Sequence, residues 1–377
     1  MNDCFRNMTR IAEIHVYSKT LPVKNGPYTM AGQKVWDLDT TIVELIGENG
    51  VSGWGEICPL GTLYAPVHAG GLRAALALVA PALIGAEATP RNIVQILDKT
   101  LNGHNYARAI LDIAAYDLIG KTLDVPVSTL LGGAVQEKVK SYFVLDLKPV
   151  DEVLELARAK VDEGFQRLQI KIGRPDLGED IDVIHKVHDE VGATTELIAD
   201  GNRGLSGRDA IQLSQVCRDI PITFEQPCDM LETNRTIRPR LCHPLFLDEN
   251  ILDLNIAADV IGQGFVDGFG MKISRLGGFS QFAAFRDLCA ARGLPHTVDD
   301  GWGGNIIAAA TVQMAATVSP KFLEGAWIAT PYQDESYAPD PLITIKDGYI
   351  EVPKGSGLGV NPDAEQFGAP VLSVQAN

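Results

Sequence analysis

Positive charge is in short supply in this chain. Its 32 Lys+Arg stand against 48 Asp+Glu, a formal net charge of −16, so the surface repels phosphate backbones and anionic bilayers. Neither nucleic acid nor a membrane is expected as a partner. Long hydrophobic runs are missing too: the longest apolar stretch, Ala74 to Ala86, is broken by Pro81 and falls short of the roughly 20 residues that span a bilayer. The first ten residues contain no apolar signal segment. The six cysteines (Cys4, Cys58, Cys217, Cys228, Cys242, Cys289) form no Cys-x-x-Cys pair and no disulfide framework, as in proteins of a reducing compartment. A cytoplasmic location is the expectation.

What is present is material for a large core. Hydrophobic residues make up 46% and charged residues 21% of 377 residues, a globular composition in a chain long enough for two domains. Residues 10 to 60 alternate apolar and polar, as in Thr41-Ile-Val-Glu-Leu-Ile46, and turn at Glu48-Asn-Gly50 into Val51–Glu56, which reads as an antiparallel hairpin. From Gly70 to Leu131 the period becomes helical, with Ala107, Ile110, Leu111, Ala114, Ala115 and Leu118 on one face. An α+β module therefore fills the first third.

From Ser141 onward short apolar strands precede helical stretches: Tyr142–Leu147, Leu168–Ile172, Leu197–Ala199, Ile222–Phe224, Leu245–Leu247, Phe265–Ile273, Leu294–Val298 and Phe322–Gly325. About eight such units suit an α/β fold of the (β/α)-barrel kind, with chemistry at the C-terminal strand ends and little helix after the last strand. A doubly wound sheet is the rival, but its glycine-rich phosphate turn is missing after the first strand. The Gly355-Ser-Gly-Leu-Gly359 run lies near the C-terminal end and reads as ordinary turn.

The strand ends carry one functional group each: Lys171, Asp200, Glu225, Asp248, Lys272 and Asp299, at intervals of roughly 23 to 29 residues, near the length of one βα unit. A single acid at a strand end could be a helix cap, but three in phase supply hard oxygen ligands. Those suit Mg²⁺ first, with Mn²⁺ as a substitute, whereas zinc would call for His or Cys. Lys171 and Lys272, on strands two and six, stand on opposite sides of that array. A carboxylate chelated there has an acidified α-proton, because the cation stabilises the enediolate. One lysine can take that proton and the other return it. An unperturbed lysine pKa is about 10.4, so such a base needs depression by burial or by neighbouring cations.

These residues resemble the mandelate racemase/muconate lactonizing branch of the enolase superfamily over nearly the whole chain. The marks are Leu168-Gln-Ile-Lys171, Ala199-Asp-Gly-Asn202, Phe224-Glu-Gln-Pro227, Leu247-Asp-Glu249 and Met271–Gly278. The resemblance implies an N-terminal α+β capping domain (1–135), a modified TIM (β/α)-barrel (136–335) and a C-terminal segment (336–377) returning to the cap. It implies one Mg²⁺ per subunit on Asp200, Glu225 and Asp248, with Lys171 and Lys272 as acid/base catalysts. Asn202 and Glu249 would orient the metal ligands, and a homo-oligomer is expected. Many relatives carry a second lysine where this chain has Gln169.

Cap segments 21–36 and 55–69, with Tyr28, Trp36 and Tyr64, would close over the metal. Opposite them stand Asp299-Asp-Gly-Trp302 and Glu324-Gly-Ala-Trp327. Aromatic faces beside a carboxylate suit a carboxylate substrate with a cationic nitrogen. Gly268–Lys272, Leu294–Thr297 and Glu324–Trp327 are similar to family members that epimerise proline betaine and 4-hydroxyproline betaine, so Tyr64, Gln169, Asp299, Trp302 and Trp327 are the expected substrate contacts. In that case the substrate supplies the cation missing at Gln169. A lyase, such as a cis-3-hydroxyproline dehydratase or a cycloisomerase, is the main alternative, and a non-catalytic betaine-binding protein a remote one. His296 reads as a packed strand residue, and His185 and His188 as solvated.

Overall fold

The computed structural model describes residues 8–299, 302–333, 337 and 343–376. The alternating N-terminal residues form a four-stranded antiparallel sheet. Its order is Leu372–Gln375, Ile11–Pro22, Asp37–Gly47, Ser52–Ile57, so the chain's last strand lies beside its first. Helices Ala69–Leu83, Pro90–Thr100 and Asn105–Leu123 cover this sheet. Close approach of the third helix is set by two glycines. A Cβ at Gly53 would stand 2.3 Å from Ala114 O, and one at Gly55 2.1 Å from Ile110 O. Asp117 on this helix accepts from Trp54 N at 2.8 Å and from Leu358 N at 2.7 Å. The glycine run at 355–359 is therefore more than a turn: it docks on the helix, with Gly357 N donating to Val125 O.

Eight parallel strands follow in sequential order: Phe143–Leu145, Arg167–Lys171, Glu196–Asp200, Ile222–Glu225, Leu245–Leu247, Gly268–Phe269, His296–Asp299 and Leu323–Trp327. A parallel bridge from Ser141 to Ala326, with Ser141 Oγ donating to Ala326 O at 2.9 Å, brings the last strand to the start of the first. Helices follow the first seven strands, and the eighth leads only into a 3₁₀ turn, Thr330–Tyr332. This is the modified TIM barrel with its capping domain. Strand six is much shorter than the expected Phe265–Ile273. Gly268 and Gly270 let it slide against Phe246 and Glu225, where a Cβ would clash at 2.4 and 2.1 Å, and Lys272 already caps the helix starting at Ile273. Among the described residues no helix is long and apolar enough to cross a membrane.

Candidate active site

Parallel pairing puts the strand ends in one layer. Lys171 pairs with Asp200, Asp200 with Glu225, Lys272 with Asp299, and Asp299 with Trp327. All of these, with Asp248 and Gln169, line one cavity of about 430 Å³, counting the space open to solvent at its mouth, roofed by Tyr28, Met30, Leu60 and Tyr64 of the cap.

Each lysine is bound to its own carboxylate. Lys171 Nζ donates to Asp200 Oδ2, while Lys272 Nζ lies 2.8 Å from Asp248 Oδ2 and 3.1 Å from Oδ1. Burial, the largest single influence, works to lower both lysine pKa values, but the surrounding groups together outweigh it, Asp200 with Tyr28 and Glu225 at Lys171 and Asp248 with Tyr64 and Asp299 at Lys272, so both stand above the ordinary range. The physical reason is that carboxylates, not cations, are the nearest charges. Gln169 is equally specific: its Nε2 donates to Asp200 Oδ2 at 2.6 Å and to Glu225 Oε2 at 3.0 Å.

Asn202 N donates to Asp200 Oδ1 at 2.8 Å, and its Nδ2 to Glu249 Oε1 at 3.0 Å. Asp299 accepts from Thr297 Oγ1 at 2.7 Å and from Tyr142 OH at 3.0 Å, and burial pushes its carboxyl up to about 6. Burial, then Asp200 and Asp248, hold the Glu225 carboxyl well above its usual value.

The aromatic side of the cavity is a contiguous wall. Ring centroids lie 5.0 Å apart for Tyr28 and Trp302, and 5.3 Å for Trp302 and Trp327. Tyr332 packs behind them, 5.4 Å from Trp327. Tyr64 does not belong to this wall. Its ring faces Lys272 and Arg275, and its hydroxyl donates to Asp248 Oδ2 at 2.8 Å. Trp36 is 65% exposed and outside the cavity: it follows the strand Gln33–Val35, whose last residue Val35 is the one turned inward. His296 is packed between Phe282 and Phe285, as expected. His185 and His188 are half-buried rather than solvated, because their helix turns Ile184 and Val187 into the core beside them.

Three residues escaped the sequence reading. Arg275 is buried and pairs with Asp248 Oδ1 while donating to Tyr64 OH at 3.1 Å. Its spacing, three residues after Lys272 on the same short helix, was the available signal. Tyr142 immediately precedes strand one, and Tyr332 follows strand eight. Neither offered a local pattern.

Among the described residues no three of His, Cys, Asp and Glu are grouped so as to hold a metal ion as they stand; Gln169, Lys171, Lys272 and Arg275 occupy the carboxylate oxygens. The donor set nevertheless fits one. Asp200, Glu225, Asp248, Glu249 and Asp299 are buried together against Lys171, Lys272 and Arg275. Buried charge needs compensation, and carboxylates crowded closely enough to hold Glu225 well above its usual value are a set that a divalent cation would neutralise. Asp200, Glu225 and Asp248, from consecutive strands, are the hard oxygen donors that would hold it.

The chain matches the N-terminal domain model of mandelate racemase / muconate lactonizing enzyme over residues 11–132 and the enolase C-terminal domain-like model over 152–366. It belongs to this family of the enolase superfamily. It is 34% identical over 366 residues to the cis-3-hydroxy-L-proline dehydratase of Roseibium aggregatum, covering 96% of this chain and 99% of that one. It is 29% identical over 327 residues to the N-succinylamino acid racemase of an Amycolatopsis species, covering 83% and 85%. Among solved structures, a mandelate racemase/muconate lactonizing enzyme from Roseovarius nubinhibens superposes with a TM-score of 0.92 at 30% identity, covering 98% and 99%. An enolase-superfamily member from the same organism, complexed with magnesium, superposes at 0.91 and 28%, covering 97% and 100%.

Proposed function

We propose that this chain is a Mg²⁺-dependent 2-epimerase acting on a proline-type α-carboxylate whose nitrogen is permanently cationic, proline betaine or 4-hydroxyproline betaine. The observation that carries the reading is the pairing of two lysines on separate carboxylates of one array with an adjoining wall of Tyr28, Trp302 and Trp327. Asp200, Glu225 and Asp248 would hold the metal. Bound there, a divalent cation supplies stabilisation of the negative charge that develops on the substrate carboxylate.

The chain's own residues do the rest. One lysine, in its neutral form, takes the α-proton at Nζ from one face of the carbon. The ammonium on the other face returns a proton to the same carbon, which inverts it. The aromatic wall attracts an N-methylated cation by roughly 0.5–2 kcal/mol per contact and offers it no demand for an N–H. Burial of the surrounding side chains excludes water from the carbanionic carbon.

A second reading, loss of water from cis-3-hydroxyproline, is favoured by the dehydratase relative that matches nearly the full chain. There, one lysine takes the α-proton, and the β-hydroxyl leaves as water on taking a proton from the ammonium of the other lysine. The test is incubation with Mg²⁺ in deuterated water, followed by ¹H NMR, of L-proline betaine, 4-hydroxyproline betaine and cis-3-hydroxy-L-proline. Loss of the C2 proton with appearance of the second epimer of a betaine supports epimerisation. Inert betaines together with loss of the hydroxyl from cis-3-hydroxyproline would replace it with the lyase.

A further inference from the structure

The cap segment carrying Tyr64 is held from the barrel by an arginine. Arg203, in the loop after strand three, donates Nη2 to Leu63 O at 3.0 Å and to Tyr64 O at 3.1 Å. Its guanidinium also lies 3.8 Å from Asp229 and 3.9 Å from Glu249. Both Asn202 and Arg203 have left-handed backbones, φ 38° and 70°, a conformation disfavoured for side chains with a Cβ. The turn is kept by Asn202 N on Asp200 Oδ1 and by Arg203 N on Gln226 O at 2.8 Å. Strain of this kind persists only where surrounding bonds over-determine it, and here it aims the Arg203 side chain at the cap.

The segment that Arg203 grips closes the cavity. Tyr64 is only 7% exposed, and the facing Trp302 and Trp327 are 2% and 7% exposed. Cap residues Tyr28, Met30, Leu60 and Tyr64 thus cover part of the cavity mouth. Leu63, beside Tyr64, is 67% exposed, and Gly61 two residues earlier adopts φ 65°, so the segment has a surface tip and a permissive joint. Tyr64 in turn reaches Asp248 through its hydroxyl at 2.8 Å. One side chain thus ties the lid to a carboxylate of the metal array.

We infer that Arg203 is a positioning residue: it latches cap residues 63–64 in the closed position and, through Tyr64, fixes Asp248 for a divalent cation. The metal half rests on the divalent-cation reading given above, whereas the latch half does not depend on any ligand.

The test uses the full chain with Arg203→Gly, Arg203→Lys and Tyr64→Phe. Glycine suits the φ 70° backbone, so the first variant removes the guanidinium without adding strain. Thermolysin cleavage before Leu63, in the absence of metal, reads the latch. Calorimetric titration with Mg²⁺ alone reads the array. Arg203→Gly should raise cleavage at Leu63 several-fold while sites in the barrel are cut at the wild-type rate, and should weaken Mg²⁺ binding roughly 10-fold, as losses around metal ligands do. Arg203→Lys should restore part of both, since an ammonium can still reach one carbonyl. In a Tyr64→Phe background Arg203→Gly should cost no further Mg²⁺ affinity. Wild-type cleavage at Leu63 in Arg203→Gly, or cleavage rising equally across the barrel, would overturn the latch. An unchanged Mg²⁺ effect in the Tyr64→Phe background would overturn the route through Tyr64.

Discussion

The Gln169 amide nitrogen lies 2.6 Å from Asp200 Oδ2, the same oxygen that takes the Lys171 ammonium, and 3.0 Å from Glu225 Oε2. A neutral donor thus joins two carboxylates without adding charge. Gln169→Lys would place a cation between them, where it competes with a divalent ion for the same oxygens and repels a cationic substrate. Mg²⁺ affinity, read by calorimetry, should fall about 10–100-fold, and proline betaine turnover should fall with it. A variant with wild-type affinity and turnover would remove this account of the glutamine.

The two lysines predict a stereochemical split. In Lys171→Ala one epimer should lose α-proton exchange by about 10²–10⁴-fold, and in Lys272→Ala the other should, because each ammonium sits on a different carboxylate. Exchange from each epimer in deuterated water, followed by ¹H NMR, checks it. If Lys171→Ala and Lys272→Ala suppress exchange from the same epimer only, a two-sided proton transfer is wrong and the lyase gains.

The barrel and the layer of polar strand ends were legible in the sequence because both rest on periodicity. A parallel strand buried on both faces is a short apolar run, and the residue ending each run faces the same rim, so Asp200, Glu225 and Asp248 announce themselves. Arg275, Tyr142 and Tyr332 were not legible, because what brings them to the site is the curvature of loops and short helices rather than strand phase. Tyr64 was placed in the pocket, which it lines, but its contacts with Lys272 and Arg275 were not legible. Nothing local tells whether a ring in a cap loop will face a substrate cation or the chain's own Lys272 and Arg275.

His296 predicts a limb of the stability curve. Burial lowers its pKa from 6.5 to about 4, despite its bond to Thr297 O. The unfolded chain therefore binds more protons between these values, and stability rises with pH there. The contribution is fully present above pH 6.5 and is lost as pH falls toward 4, on the order of 3 kcal/mol in total. His296→Asn should flatten that part of a urea-unfolding series between pH 6.5 and 4 relative to wild type. An unchanged slope would mean that another group sets it.

Trp327 decides between a cation-reading wall and plain packing. It ends strand eight, pairs in register with Asp299, and lies 5.3 Å from Trp302 and 5.4 Å from Tyr332. Replacing it with leucine keeps an apolar surface but removes the π-face. If the wall attracts a permanent cation, KM for proline betaine should rise about 2–30-fold, the equivalent of 0.5–2 kcal/mol, with a smaller change in kcat. Trp327→Phe should retain part of the affinity, since a weaker quadrupole remains. The control is an uncharged isostere of the betaine with carbon in place of the quaternary nitrogen, tested as a competitive inhibitor. Its affinity should be nearly insensitive to Trp327→Leu, because a neutral group gains only contact from the ring. Equal losses for the charged and uncharged ligands would show that the indole acts by filling space, and the choice of a cationic substrate would then lose its main support.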